Sequence, residues 1–171
     1  SPGVGKTTIG RALAGTFPKS IHIPVDVLRY WVVSGLQLPG PEWGDGLVEQ
    51  LETARGVVSA MALRYRMVGF VVTVDDFLDP YSWLAEYGEL LTAPQTHRVL
   101  LFTSEETALA RNLGRYGPRE KNDRYAGAIR FSYHILRTAL DKLKAQEWLV
   151  VDSTDQSVEE TVTEILERTG I

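Results

Sequence analysis

The first eight residues, SPGVGKTT, combine glycines, a lysine and hydroxyl side chains at a spacing suited to holding phosphate. Gly3 and Gly5 allow the backbone to curl with its N–H groups pointing inward, as a bound anion requires. In such a loop Lys6 reaches the β- and γ-phosphates of a nucleotide, and the hydroxyl of Thr7 binds Mg²⁺. The segment matches the phosphate-loop pattern G-x-x-x-x-G-K-S/T except for the first glycine, which would precede Ser1.

This loop predicts that the chain binds ATP and Mg²⁺, and the helix that follows would direct its positive dipole end at the phosphates. The predicted nucleotide-binding residues here are Gly3, Val4, Gly5, Lys6, Thr7 and Thr8. The alternative is a glycine turn that happens to cap a helix. Because a phosphate loop connects a buried strand to a helix, we expect a short apolar strand before Ser1 and an N-terminally truncated chain.

A carboxylate and a guanidinium follow the next strand-like run, residues 20–25. Asp26 would lie at the carboxyl end of that strand, where α/β sheets bind ligands, and Arg29 follows it on a helix. A carboxylate there can orient an alcohol and accept its proton as an O–P bond forms. Asp26 is therefore a candidate general base and Arg29 a candidate substrate ligand. The alternative is that Asp26 only caps the helix from Val27.

Two adjacent carboxylates follow the β-branched run FVVTV, residues 70–74. A kinase holds Mg²⁺ or its waters with a carboxylate at such a strand end. We predict that Asp75 binds the metal, together with Thr7, and that Asp76 touches the substrate. A capped turn is the alternative.

Five cations cluster in this otherwise acidic chain, and they are Arg111, Arg115, Arg119, Lys121 and Arg124. Arg111 and Arg115 are four positions apart and so share a helix face. The other three fall in a predicted loop that contains glycine and proline. Mobile cations can stabilise the negative charge that spreads over a transferred phosphoryl group. We predict a basic lid over about residues 111–124, with a solvated basic turn as the alternative.

The composition is typical of one globular domain, with 171 residues, 44% hydrophobic residues and no cysteine. The lack of cysteine excludes disulfides and thiolate chemistry and is compatible with a reducing cytoplasm, the predicted location. No apolar run reaches the length of about 18 residues that a membrane helix needs, so no membrane partner is expected. The net charge of −4 disfavours a nucleic-acid partner, because such proteins usually present a basic surface.

Strand-like runs alternate with helical patterns along the chain. We predict strands over residues 20–25, 70–74, 99–102 and 148–151. We predict helices over residues 6–17, 27–34, 47–68, 81–91, 104–113, 123–145 and 157–168. A Ser157–Glu160 capping box would open the last helix. This alternation is typical of crossover units on a parallel sheet, so we predict an α/β fold and a single domain over residues 1–171.

Four features resemble, in their order, the small P-loop kinases of the chloramphenicol phosphotransferase-like, zeta-toxin and polynucleotide-kinase-like group. They are the phosphate loop, DVLR at 26–29, VDD at 74–76 and RNLGR at 111–115. The resemblance covers essentially the whole chain, and the loop is its most specific part. It implies a three-layer P-loop NTPase fold with a parallel sheet in strand order 2-3-1-4-5, whose first strand is the one expected before Ser1.

The same resemblance implies roles for individual side chains. Asp26 would be the base, Arg111 would pack on adenine and Arg115 would meet phosphate. The turn at residues 152–154 would pass beside adenine, although an ordinary strand-to-helix turn explains it equally well.

The predicted function is an ATP-dependent kinase that moves the γ-phosphate to a hydroxyl of a small molecule, with Lys6, Asp26 and Arg115 as catalytic residues. One alternative is a P-loop ATPase or nucleotide-dependent switch without a phosphate acceptor, and another is a kinase of nucleotides or polynucleotide ends. A GTPase is disfavoured because the Asn-Lys-x-Asp base-reading motif is missing from the sequence. An AAA+ motor domain would be longer. The acceptor and the oligomeric state stay open.

Overall fold

A computed structural model describes the backbone of residues 2–39, 43–77, 84–116 and 120–171. The side chains of residues 115, 116, 120–125, 128, 135, 137–139 and 142 lie outside this description. The chain divides into two compact units, one of residues 10–96 and one of residues 1–9 with 97–171. Each unit contains one parallel strand pair within its described residues.

The unit of residues 10–96 is built on a parallel pair. The part of helix α1 (Lys6–Gly15) from Gly10 onward belongs to this unit and leads to β1 (Ser20–Pro24). Helix α2 (Val25–Arg29) follows directly, and the long α3 (Asp45–Met67) connects to β2 (Val71–Asp75). The strands pair in register from Ser20 opposite Val71 to Pro24 opposite Asp75. A 3₁₀ turn (Ala85–Tyr87) and α4 (Glu89–Thr92) complete the unit.

Helix α3 contributes a large part of the apolar core of this unit. Its buried apolar residues recur every three or four positions, at Leu47, Leu51, Ala54, Val58 and Ala62. This spacing places them on one helix face, and α3 packs on both strands. Burial of each leucine or valine contributes about 1.5–3 kcal/mol relative to exposure, so this face holds α3 against β1 and β2.

The second unit contains β3 (Val99–Phe102), α5 (Glu105–Tyr116), α6 (Glu120–Ala145), β4 (Leu149–Asp152) and α7 (Val158–Thr169), together with residues 1–9. Strands β3 and β4 are parallel, with Val99 opposite Leu149 and Phe102 opposite Asp152. Helices α5 and α6 pack together through a small buried cluster. That cluster consists of Ala108, Ile129 and Tyr133.

The predicted α/β class with parallel strands is confirmed, as is the strand over residues 99–102. A single domain over residues 1–171 stays a prediction. Among the described residues, none of the helices combines the length and apolar character that a membrane crossing requires.

Three predicted helix boundaries were wrong by more than two residues, namely the end of α2, the end of α5 and the start of α6. The helix expected over 27–34 ends at Arg29. After it the backbone forms hydrogen bonds between residues three positions apart, from the Trp31 N–H to the Leu28 carbonyl and from the Val32 N–H to the Arg29 carbonyl. The loop expected between the helices over 104–113 and 123–145 is largely helical, since α5 extends to Tyr116 and α6 begins at Glu120. Glutamate, lysine and arginine are good helix formers, which explains why residues 120–124 are helical. The helix expected over 81–91 starts outside the described residues and is a 3₁₀ turn followed by α4 from residue 85 onward.

The predicted capping box at the start of α7 is confirmed. The Glu160 N–H donates to Ser157 Oγ at 3.1 Å, and the Ser157 N–H donates to Glu160 Oε2 at 2.8 Å. The hydrogen bond from the Ser157 backbone lowers the pKa of Glu160 below its ordinary value of 4.5. The box therefore stabilises α7 above that pH, and its contribution is lost as the pH falls through the folded-state pKa.

We expect Ser157→Ala to lower the free energy of unfolding by about 1 kcal/mol, because the Glu160 N–H at the start of the helix loses its side-chain acceptor. Urea denaturation at neutral pH measures the change. Thr53→Ala, at an exposed position inside α3, is the matched control and should not destabilise the protein. Equal changes in the free energy of unfolding for the two substitutions would show that the capping box does not stabilise the protein.

Candidate functional site

The predicted phosphate loop has a backbone suited to an anion. Gly3 and Gly5 have φ values of 78° and 91°, in a region that L side chains rarely adopt. A Cβ at position 3 would also lie 2.5 Å from the carbonyl oxygen of Ala108 in α5. Glycine at position 3 is therefore required by the backbone conformation and by the close approach of α5.

The loop leads directly into a helix N-terminus. Helix α1 begins at Lys6, and the Ile9 N–H donates to the Gly5 carbonyl at 2.9 Å. No acidic residue lies in the first turn of α1, so the positive end of the helix dipole is not neutralised there. Val4 and Ile9 are buried and anchor the segment, whereas Thr7 and Thr8 are exposed. Residues 3–8 thus fit a polyphosphate group.

Arg111 and the turn after β4, both expected beside adenine, meet in this same unit. Arg111 Nη2 donates to the Ser153 carbonyl at 3.1 Å. Ser153 Oγ donates to the Phe102 carbonyl at 3.1 Å, and the hydroxyl of Thr154 accepts the Ser104 N–H at 2.9 Å. These bonds tie the end of β3 and the start of α5 to the turn. Arg111 is therefore held against the backbone of residues 152–154.

The rest of the predicted lid is only partly visible. Arg115 belongs to α5, but its side chain lies outside the described atoms, as do the side chains of Lys121 and Arg124 in α6. Arg119 lies outside the described residues altogether. The predicted phosphate contact of Arg115 stays a prediction.

Tyr133 is a buried polar residue of this unit that sequence reasoning missed. Its hydroxyl donates to the Thr103 carbonyl at the end of β3. Burial, with smaller contributions from the charges of Glu105 and Asp152, raises the pKa of Tyr133 to about 12. It therefore stays a neutral donor at physiological pH. Ile129 and Tyr133 are four positions apart on α6, and that helical spacing was the signal available in the sequence.

Asp26 is an exposed carboxylate at the start of α2. The N-cap of α2 is Pro24, without a side-chain cap, so the alternative that Asp26 caps the helix is wrong. Its side chain is 59% exposed and its Oδ1 lies 3.8 Å from Arg29 Nη1. An exposed carboxylate beside a cation is available to an approaching hydroxyl group.

Arg29 is placed differently from its neighbour, because its side chain is only 6% exposed. Its Nη2 donates to the Gln37 carbonyl at 2.7 Å and so anchors the segment after α2. The structure thus gives Arg29 a role in holding this loop beside Asp26. Its predicted contact with substrate stays a prediction.

Asp75 ends β2 and is paired with a histidine that the sequence analysis left without a role. His22 Nε2 lies 2.7 Å from Asp75 Oδ2, and the two side chains are 10% and 9% exposed. His22 lies on β1 opposite Thr73, two positions before the residue opposite Asp75. The period of two in neighbouring parallel strands was the signal that places His22 and Asp75 on one face.

Asp76 lies in a buried ionic network. Its carboxylate accepts hydrogen bonds from Arg55 Nε at 2.8 Å, from the Tyr87 hydroxyl at 2.9 Å and from the Phe77 N–H at 2.7 Å. Arg55 is fully buried and also contacts Glu86 at 3.2 Å. Burial raises the pKa of Asp76, while Arg55 opposes the rise. A substrate would have to displace these partners to reach Asp76.

The predicted Mg²⁺ ligands have the right donor chemistry. Mg²⁺ bound with nucleotide phosphates keeps several waters and takes only one or two protein oxygens. The hydroxyl of Thr7 and the carboxylate of Asp75 are such donors, and each fits this requirement in its own unit. Among the residues that the structure describes, no group of three or more His, Cys, Asp or Glu side chains is arranged to hold a metal.

No protein-family model matches this chain, and a comparison with curated proteins finds no significant match. The functional conclusion therefore rests on the residues and the geometry of the two units.

Proposed function

We propose that this chain is an ATP-dependent kinase that transfers the γ-phosphate of ATP to a hydroxyl group of a small molecule. The observation that carries the proposal is the segment of residues 2–6, where Gly3 and Gly5 adopt positive φ and α1 begins at Lys6. Two glycines with positive φ, a lysine and a helix N-terminus together suit a polyphosphate better than any neutral ligand.

The proposal includes a three-layer P-loop NTPase fold with strand order 2-3-1-4-5. In that order strands 2 and 3 are neighbours, and so are strands 4 and 5. β1–β2 and β3–β4 are both parallel pairs, as neighbouring strands of such a sheet would be. The parallel pairing within each unit therefore supports the parallel character of the proposed sheet.

Each candidate site residue has its own role in the proposed reaction. Lys6 binds the β- and γ-phosphates, and Thr7 and Asp75 supply oxygens to the metal. When bound, ATP supplies the phosphoryl group and Mg²⁺ neutralises part of its charge. Asp26 orients the acceptor hydroxyl and takes its proton as the new O–P bond forms and the bond to the ADP oxygen breaks. Arg115 is the proposed partner of the negative charge that develops on the phosphoryl oxygens.

The proposed acceptor is a small hydroxyl compound in the cytoplasm, where ATP is supplied. A polynucleotide acceptor is less suited to a chain whose net charge is −4, because like charges repel.

Titration calorimetry with ATP and Mg²⁺ is the first test of the proposal. We expect wild-type protein to bind, and we expect Lys6→Met to lower the affinity about 10- to 100-fold, the size of one hydrogen bond to a charged group. Lys144→Met, at an exposed position of α6, is the matched control and should bind like wild type. Absence of nucleotide binding in the wild-type protein would overturn the proposal.

An ADP-release assay with a panel of alcohols then separates the three functions. Stimulation by one small alcohol is the expected result. ATP hydrolysis that no alcohol changes would favour an ATPase or switch. Stimulation by 5′-hydroxyl oligonucleotides, weakened steeply by salt, would favour the polynucleotide-end kinase.

A further inference from the structure

A glycine, a histidine and a carboxylate meet inside the unit of residues 10–96. His22 Nε2 lies 2.7 Å from Asp75 Oδ2. A Cβ at Gly10 of α1 would lie 3.0 Å from that same nitrogen and 3.2 Å from His22 Cδ2. The imidazole therefore occupies the space that any side chain at position 10 would need.

The backbone around this group is held by its own hydrogen bonds. The Thr73 hydroxyl donates to the Gly10 carbonyl at 3.0 Å, which ties α1 to β2. Strands β1 and β2 are in parallel register, with His22 opposite Thr73 and Pro24 opposite Asp75. Helix and strands thus fix the position of the imidazole from two sides.

A carboxylate as little exposed as Asp75 needs hydrogen-bond partners for its oxygens. Carboxylate oxygens accept hydrogen bonds, so we assign the ring N–H to His22 Nε2, which donates to Asp75 Oδ2. Charge-assisted hydrogen bonds of this kind hold a side chain in one orientation. Carboxylates that bind metals depend on such outer partners for their orientation.

We propose that His22 is a positioning residue, whose hydrogen bond holds the Asp75 carboxylate in the orientation in which it binds Mg²⁺, and that Gly10 keeps the space which the imidazole needs. This inference rests on the proposed function, in which Asp75 binds Mg²⁺ together with the nucleotide phosphates.

Two substitutions at position 22 separate hydrogen bonding from packing. His22→Gln keeps an N–H donor on a side chain of similar reach, whereas His22→Met fills similar space without a donor. ATP affinity is measured by titration calorimetry in Mg²⁺ and again in EDTA. We expect His22→Met to lose about 10- to 100-fold of the affinity gained with Mg²⁺, the usual effect of removing an outer partner, and to match wild type in EDTA. His22→Gln should retain most of the gain.

A matched pair of glycine substitutions on α1 tests the same contact without replacing either His22 or Asp75. Gly10→Ala would push on the imidazole, whereas Gly15→Ala meets nothing within 4 Å. We expect Gly10→Ala to reproduce the Mg²⁺-specific loss of His22→Met and Gly15→Ala to match wild type. Urea unfolding of every variant shows which proteins are folded, and if Gly10→Ala does not fold, the two variants at position 22 decide.

The possible outcomes distinguish this inference from the proposed function. If Mg²⁺ raises the ATP affinity of His22→Met as much as that of wild type, the role of His22 is overturned and the kinase proposal stands. The same follows if His22→Gln loses as much of this gain in affinity as His22→Met. If wild type binds ATP equally with and without Mg²⁺, the metal role of Asp75 and the inference both fail. If wild type binds no nucleotide, the proposed function fails and this inference fails with it.

Discussion

Replacing Arg55 with methionine is expected to lower the free energy of unfolding by about 3–5 kcal/mol. Arg55 is fully buried and pairs with Asp76 at 2.8 Å and with Glu86 at 3.2 Å. The substitution leaves both carboxylates in place without their cation, and the side chains of Asp76 and Glu86 are only 5% and 14% exposed. Removing one partner of a buried ion pair lowers the stability by more than the intact pair contributes to it, because an unpaired charge remains in a poorly hydrated site.

The loss caused by Arg55→Met should depend on pH. Burial already raises the pKa of Asp76 above its ordinary value of 3.8, and the charge and hydrogen bond of Arg55 limit the rise. Without Arg55 the folded-state pKa rises further, so the folded state binds a proton more readily than the unfolded chain. Stability then increases as the pH falls from neutrality toward that ordinary value. Urea denaturation at about pH 7 and about pH 5 should therefore show the larger deficit at the higher pH.

Arg64 offers a matched control, because it lies exposed on the same helix. Arg64→Met should change the unfolding free energy by no more than about 0.5 kcal/mol. If Arg55→Met cost no more than this control, or if its cost did not vary with pH, the network would not be the charged cluster that the distances describe.

Asp26→Asn is expected to lower turnover by about 10²- to 10⁴-fold while leaving ATP affinity nearly unchanged. Asparagine has the same shape and can orient a hydroxyl group, but its amide cannot accept the proton. Because the side chain of Asp26 is 59% exposed and no cap hydrogen bond joins it to α2, the fold should not change. ADP formation with a stimulating alcohol measures turnover, and titration calorimetry measures affinity.

Glu52→Gln, another exposed carboxylate-to-amide change in the same unit, is the control and should retain full turnover. Turnover that survives in Asp26→Asn would exclude Asp26 as the base. Weaker ATP binding with unchanged maximal turnover would assign Asp26 to nucleotide binding.

Features that depend on neighbouring residues could be predicted from the sequence. The capping box joins Ser157 to Glu160, three positions away, so its hydrogen bonds require only the local helical turn. The strand over residues 99–102 followed from an apolar run of matching length. The end of α2 was wrong because the aromatic and β-branched residues 30–33 are weak helix formers, and the start of α6 was wrong because the loop predicted around Gly117 and Pro118 extended as far as Asn122.

The local sequence pattern did not distinguish the three candidate carboxylates from one another. From the sequence Asp26, Asp75 and Asp76 each follow a strand and each allow a capping interpretation. In the structure Asp26 is exposed, Asp75 is held by His22 and Asp76 is committed to Arg55. The sequence carried no signal for Arg55, because a single arginine in a helix of mixed charge is usually solvated.

The sequence by itself determined the phosphate-loop pattern, the α/β class and the capping box, because each rests on residue types within a few positions or on a local period. Only the tertiary structure decided what each carboxylate contacts. His22 and Asp75 are 53 positions apart, and Arg55 lies 21 positions from Asp76 and 31 from Glu86. Partners at such separations meet only when strands pair and a helix packs on them, so burial and pairing, rather than residue type, distinguish the exposed candidate base from the two buried carboxylates.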